Sequence, residues 1–356
     1  MEISEKNLEI ARRLQQENPV VDMHADLPGE LLLRHRLGEK HVLRERYLQA
    51  WKQAGICLVG TAVYLEEECL LEGGLQNALL QIEALKEEIK ELEEEICIIY
   101  SRKELEKVYR KEKIGILLYM EGLDCLGTEE GLLEMLYEKG VRGASLVWSR
   151  KNQLASGCCR ADENRQIGGG ITEAGKRVLK KMDSLGMFLD ISHLNDDGMK
   201  ELLAEDDRAE ADGEKRYILA THSNARAIHK HYRNLTDEQI NGLMKQGGVI
   251  GLNACSLLSG SAEKGNHLEM LVRQGRYLLE KAGSRQVCLG LDLCNSYDSA
   301  YAAVKEKVEA KGHDALSGYH ELTELIAAFL EAGTEEAMVK NIMGENAFAF
   351  LRRVFE

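Results

Sequence analysis

The chain has 356 residues, enough to bury a large core as either one barrel or two ordinary domains. Its 46 basic and 60 acidic residues leave a formal net charge of -14 at pH 7, which favours solubility and argues against nucleic acid as a partner. No apolar run is long enough for a bilayer, Met1-Glu2-Ile3-Ser4-Glu5-Lys6 lacks the form of a secretory signal and no lipidation motif ends the chain, so the expectation is a cytoplasmic protein with no membrane partner.

Pro19 and Pro28 are the only prolines, and no Gly/Ser/Pro-rich tract divides the sequence. One domain over residues 1–356, opening with an N-terminal helix, is the expected organisation. The nine cysteines include the adjacent Cys158 and Cys159 but no C-x-x-C pair, which suits free thiols in a reducing compartment.

Runs rich in Val, Ile and Leu recur near 20–24, 55–64, 114–121, 141–148, 187–193, 217–222, 248–253 and 287–292. Between them lie charged segments with apolar residues at helical spacing, such as Leu132, Leu133, Leu136 and Tyr137. Eight strands alternating with helices imply a parallel sheet. Near-continuous apolar strands such as Ile114–Met120 suit a sheet covered on both faces. The fold class predicted is α/β, a (β/α)8 TIM-type barrel of the metal-dependent amidohydrolase-like kind, for which ~250 residues or more suffice. The alternative, an open doubly wound sheet, normally carries a glycine-rich phosphate turn after its first strand. Here that position holds His24-Ala25-Asp26-Leu27-Pro28, and Gly168-Gly169-Gly170, before a helix beginning near Thr172, lacks the Lys-Ser/Thr of a phosphate loop. Ile82, Leu85, Ile89, Leu92 and Ile96 follow a three-four spacing over about two heptads. A long barrel helix is the reading, with a subunit contact, and hence a homodimer, as the alternative.

Barrel enzymes place their chemistry at the carboxyl ends of strands. His24 and Asp26 stand at the end of the first run, Glu121 at the third, His193 at the fifth, His222 at the sixth and Asp292 at the eighth. Any one of these could be a cap or loop residue. Together, five strand ends that supply imidazole or carboxylate and no Lys or Arg have the composition of a divalent-cation site. His24, Asp26, Glu121, His193 and His222 are more ligands than one tetrahedral zinc with an open position needs. If Glu121 bridges, one cation takes His24, Asp26 and Glu121, and a second, about 3.5–4 Å away, takes Glu121, His193 and His222. Asp292 is left as the proton carrier, or else as a sixth ligand or a support for an imidazole.

With these residues in place, the chain resembles the membrane dipeptidase (renal dipeptidase) family of metallopeptidases, in a microbial, cytoplasmic form. The resemblance is carried by Asp22-Met23-His24-Ala25-Asp26-Leu27-Pro28, Glu121-Gly122, Ile171-Thr172-Glu173-Ala174-Gly175, Asp190-Ile191-Ser192-His193 and Thr221-His222-Ser223. It continues through Arg233-Asn234-Leu235-Thr236-Asp237, Gly290-Leu291-Asp292 and Gly344-Glu345-Asn346-Ala347, so it spans nearly the whole chain. It implies two zinc ions on the five ligands, Glu121 and Asp292 in the chemistry, and Arg233, with Asn234 beside it, on the free carboxylate of a dipeptide that can carry a D-residue at its C-terminal position. Where animal members have a substrate-holding histidine, this chain offers Trp148-Ser149-Arg150, and an indole can pack a side chain but carries no charge. Of the family's Gly-x-Asp-Phe-Asp-Gly, Gly290-Leu291-Asp292-Leu293-Cys294-Asn295 keeps the first acid.

The function expected is therefore a zinc-dependent dipeptidase acting through metal-activated water. The alternatives are a metal-dependent hydrolase of another amide or ester, such as an N-acyl amino acid or a lactone, and a barrel that binds without catalysis. Manganese, cobalt or iron would also suit the ligands.

Overall fold

The computed structural model describes residues 1–70, 73–159, 167–212, 216–264, 266–306 and 313–356. Nine strands follow in chain order among them: β1 (Val20–Ala25), β2 (Ile56–Tyr64), β3 (Ile96–Ile98), β4 (Ile114–Glu121), β5 (Gly143–Ala144), β6 (Phe188–Asp190), β7 (Ile218–Leu219), β8 (Ile250–Leu252) and β9 (Val287–Leu289). Every strand pair is parallel. One sheet runs β1-β2-β4-β5-β6-β7, with β3 beside β4, and β8 pairs with β9. A bridge from Ala220 to Ile250 joins the two sheets. Past β9, Leu291 N–H donates to Asp22 Oδ1 (2.8 Å) and Asp292 N–H to the His24 carbonyl (3.3 Å), so the last strand meets the first. The sheet curls into the (β/α)8 barrel that the alternation predicts.

The eight predicted strands are all present, and β3 is a ninth. It pairs with the first residues of β4, while the end of β4 pairs with β5, so it flanks the barrel. The helix read through Ile82–Ile96 therefore needs correction: it spans Gly74–Lys90, and Ile96 lies in β3. The β-branched run Ile96-Cys97-Ile98-Ile99 favours extended backbone once a partner edge is available. Ile82, Leu85, Ile89 and Leu92 are all buried in the chain's own core, which accounts for their three-four spacing.

Several later strands are much shorter than their apolar runs. After β6 and β7 the backbone leaves the ladder, and the N–H groups of Ser192 and Thr221 both donate to Asp190 Oδ1 at 3.0 Å. A buried carboxylate replaces the neighbouring strand there as acceptor. Inside the barrel, Leu117 and Tyr119 pack with Met23, Phe188 and Leu219, while Ile116, Leu118 and Met120 face the helices. That alternation carries Glu121 inward.

The opposite, amino-terminal end of the barrel is closed. The helix Asn346–Val354 adds Phe348, Phe350 and Leu351 to the inner cluster, each side chain worth ~2–3 kcal/mol of burial. Asn346 Nδ2 donates to the carbonyl of Val287, at the start of β9 (2.7 Å). The expected N-terminal helix, Glu5–Glu17, packs along the helix Leu322–Glu331, and Ser4 and Asn7 both donate to the Glu331 carboxylate. The helix expected near Thr172 is Glu173–Ser184, and the Thr172 hydroxyl caps it. Among the described residues, no helix is long and apolar enough to cross a membrane.

Candidate metal centre

His24 is carried inside β1, Glu121 ends β4, and His193, His222 and Asp292 each stand three residues past β6, β7 and β9. Their side chains meet at the carboxyl-terminal mouth. Glu121 Oε1 lies 2.8 Å from His193 Nε2, 3.3 Å from His222 Nε2 and 3.8 Å from His24 Nε2. His24 Nε2 is in turn 3.8 Å from Asp26 Oδ1 and 3.5 Å from Asp292 Oδ1. Two compact donor groups result, His24–Glu121–His222 and His24–Asp26–Asp292. His24 lies in both, and Asp292 is nearer to the ligand cluster than a detached proton carrier would be.

Each imidazole is held from behind by a hydroxyl on its Nδ1. Tyr119 meets His24, Ser149 meets His193 (2.8 Å) and Thr221 meets His222 (2.8 Å). If these Nδ1 atoms carry the hydrogen, all three Nε2 lone pairs point at Glu121. His193 Nε2 and His222 Nε2 are only 3.1 Å apart, so acceptor would face acceptor around a carboxylate. Asp26 Oδ1 is buried without a partner. Such a set fits a divalent cation, which replaces that repulsion with ligand bonds.

The protonation preferences agree. Burial lowers the pKa of His24, and burial with the nearby Arg233 charge pushes His193 and His222 well below the ordinary imidazole range, the neutral form a ligand needs. Burial, reinforced by Asp292, pushes Asp26 well above the carboxylate range, and burial with Asp26 does the same to Glu121. A cation would relieve both acids.

A second ring of residues positions these groups. Asp190 accepts from both Ser192 and Thr221 hydroxyls (2.6 and 2.7 Å), fixing the loops that bear His193 and His222. Asp22 accepts from Tyr319 Oη (2.8 Å) and from the His24 and Leu291 N–H groups, and burial raises it to about 6. A side chain on Gly251 or Gly290 would come within 1.8 Å of the Thr221 carbonyl, so these glycines let β8 and β9 close against the His222 loop. Asp292 has φ 56, an uncommon conformation for a non-glycine residue. Its carboxylate accepts from Asn253 Nδ2 (2.9 Å) and Cys294 Sγ (3.0 Å).

The residues expected to touch substrate divide. Trp148 is at the mouth, its ring 5.7 Å from that of His193. Arg233 is buried beside the cluster, donating to the carbonyls of Ser192 and His222. Asn234 is committed to its loop, with Nδ2 on the carbonyls of His229 (3.0 Å) and Leu258 (2.8 Å). Sequence reading assigned no role to Tyr119, Ser149 or Asn253. Tyr119 alone had a usable signal, standing two residues before Glu121 and so on the same strand face.

A family model described as membrane dipeptidase (peptidase family M19) matches residues 8–356. Dipeptidase tcpJ of Claviceps purpurea is 23% identical over 280 residues, covering 79% of this chain and 60% of that protein. An uncharacterised protein of Acinetobacter calcoaceticus, from the PQQ-III 3' region, is 26% identical over 62% of this chain and 66% of its own. The chain thus spans less than two thirds of these curated relatives. A crystal structure of a Rhodobacter sphaeroides metallopeptidase, liganded with a phosphinate mimic of the dipeptide L-Ala-D-Ala, superposes with a TM-score of 0.78 at 22% identity, covering 95% of this chain and 99% of that one.

Proposed function

The chain belongs to the membrane dipeptidase family, and from that premise we propose that it hydrolyses the peptide bond of dipeptides at a centre for two divalent cations, zinc in the resting protein. The observation that carries the reading is the convergence of three hydroxyl-anchored imidazoles on Glu121 Oε1, with Asp26 and Asp292 alongside. His24, Asp26 and Glu121 would hold one cation, and Glu121, His193 and His222 the other. When bound, the cations would acidify a water and polarise the scissile carbonyl.

The chain's own groups do the rest. Asp292 takes the proton from the attacking water and returns it to the departing amine. Its hydrogen bonds from Asn253 and Cys294 aim the carboxylate while it does so. Arg233 receives the free carboxylate of the dipeptide with the N–H groups not spent on Ser192 and His222. Trp148 packs against the substrate, and the buried cluster keeps bulk water away from the reacting carbonyl. A D-residue is accepted at the C-terminal position, a reading supported by the L-Ala-D-Ala mimic held by the Rhodobacter sphaeroides protein.

The test uses zinc-loaded protein and a panel of dipeptides, N-acyl amino acids and lactones. Dipeptides should turn over, and Asp292→Asn and Glu121→Gln should each lower kcat by at least about 100-fold while the thermal transition persists. Undiminished turnover in both variants, or turnover only of lactones or N-acyl amino acids, would sink the proposal.

A further inference from the structure

The mouth of the barrel is electrically lopsided. Arg233 lies beyond β6 and β7, against the carbonyls of Ser192 and His222. Across the barrel, where β1 and β2 end, the acidic groups Asp26, Glu66 and Asp298 gather, and the Arg150 guanidinium near them is held by the Asp124 carboxylate and the Leu65 carbonyl. An aromatic row leads to that side from the histidines. Trp148 packs on His193, Tyr64 on Trp148 (ring centroids 5.0 Å), Tyr297 on Tyr64 (6.4 Å) and Tyr301 on Tyr297 (6.3 Å, stacked).

The row ends at a cavity of about 140 Å³, whose walls include Gly29, Leu33, Glu66, Gln81, Tyr297 and Tyr301. At ~30 Å³ per water this is room for four or five heavy atoms, the size of an aminobutyl chain. Arg36, Asn77 and Lys305 supply donors to its lining, but two of its acceptors carry no cation. Gln81 is 4% exposed and spends Nε2 on the Tyr64 carbonyl (2.6 Å) and Asn77 Oδ1 (2.8 Å), while its Oε1 has no partner. Glu66 accepts the Tyr297 hydroxyl on Oε1 (2.9 Å) and, at long range, the Tyr64 hydroxyl on Oε2 (3.5 Å), and no Lys or Arg among the described residues is within ion-pair distance of it. Lys305 is paired with Glu68, and Arg36 is exposed at the rim. Gly29 keeps the space open: a side chain there would come within 2.8 Å of Tyr297 Cε2 and 3.5 Å of Gln81 Oε1.

We propose that this cavity receives the side chain of the substrate's N-terminal residue and selects a lysine-type cation through Glu66 and Gln81. The assignment rests on the dipeptidase reading, because Arg233 on the carboxylate turns the N-terminal residue toward β1 and β2. Leu33 and the tyrosines cover the methylenes, and the ammonium meets the Glu66 carboxylate and the orphan Gln81 oxygen. A neutral side chain of equal length would leave the Gln81 oxygen unpaired and the Glu66 carboxylate without a cation.

The test compares Lys-Ala with norleucyl-alanine, which has the same length but no terminal charge, and with Ala-Lys. Zinc-loaded protein should favour Lys-Ala over norleucyl-alanine by about 10–100-fold in kcat/KM, mostly through KM, with no comparable gain for Ala-Lys. In Glu66→Gln the ratio should fall to about threefold or less, and Glu66→Asp should restore part of it. Gly29→Ala should penalise lysyl and norleucyl peptides together relative to Ala-Ala. Free lysine should raise the melting temperature of the wild type more than norleucine does, a readout independent of turnover. A ratio near one in the wild type, or one that survives Glu66→Gln, overturns the pocket assignment and leaves the dipeptidase reading standing. Hydrolysis of none of the peptides overturns both.

Discussion

At the scale of single residues, the hydroxyl behind each imidazole decides whether Nε2 is presented as a lone pair. Ser149 is the simplest to remove, because it contacts His193 Nδ1 at 2.8 Å and its replacement by alanine leaves no new bulk. If the centre holds the two cations proposed, Ser149→Ala should weaken the one on His193 by about 10–100-fold and leave the other nearly unchanged, as read by metal analysis after graded chelation. Equal loss of both cations, or of neither, would contradict the division of ligands between His24–Asp26 and His193–His222. The residues that converge on Glu121 were legible in the sequence, because each breaks an apolar run with a side chain that such a run has no packing reason to contain. Ser149 was not legible, since it is five residues past the end of β5 and reaches His193 only through a loop whose path no local pattern encodes. Asn234 illustrates the converse: adjacent to Arg233 in sequence, it points instead at the carbonyls of His229 and Leu258.

Among elements, the C-terminal helix Asn346–Val354 closes the amino-terminal end of the barrel, and a polar clasp on Arg352 helps to fasten it. Glu106, on the helix Arg102–Tyr109, accepts from Arg352 Nε and Nη2 (both 2.9 Å) and from Arg102 Nε (2.6 Å), and the Arg352 guanidinium lies 4.2 Å from the Tyr109 ring centre. The hydrogen bonds from Arg352 hold the Glu106 carboxyl down at about 2, against an ordinary value of 4.5. A carboxylate with a depressed folded pKa adds stability that is fully present above its unfolded value and disappears as pH falls through its folded one. The group is partly solvated, so Glu106→Gln should cost only about 1 kcal/mol at neutral pH. Urea titrations should show that gap narrowing between pH 4.5 and about 2; a gap that widens with acid would refute the clasp. The strands of this fold were readable because buried parallel strands are nearly continuous apolar runs. β3 was not, because Ile96 continues the spacing of the preceding helix and only the free edge of β4 decides that it extends.

At the scale of the whole molecule, the barrel gathers three imidazoles and three carboxylates into one mouth, and Arg233 and Arg150 are neighbouring positive charges among the described residues. Without a counter-cation this is an expensive arrangement, since Asp26 and Glu121 are held where burial and mutual repulsion both oppose their charge. The barrel tolerates it because β1 and β9 are fastened around the cluster by Asp22, which bonds Leu291 and Tyr319. A cation that binds the assembled ligands and not the unfolded chain should therefore stabilise the fold by mass action, by about 2.7 kcal/mol per site when its free concentration is a hundred times Kd. For a chain of this length that amounts to several degrees in melting temperature. Exhaustive chelation should lower the transition by that amount, and two equivalents of zinc should restore it in two distinguishable steps in calorimetry. His24→Ala, which removes a ligand of one site only, should abolish one of the two steps and leave the other. A melting temperature indifferent to chelation would mean that these six side chains converge for some purpose other than holding metal.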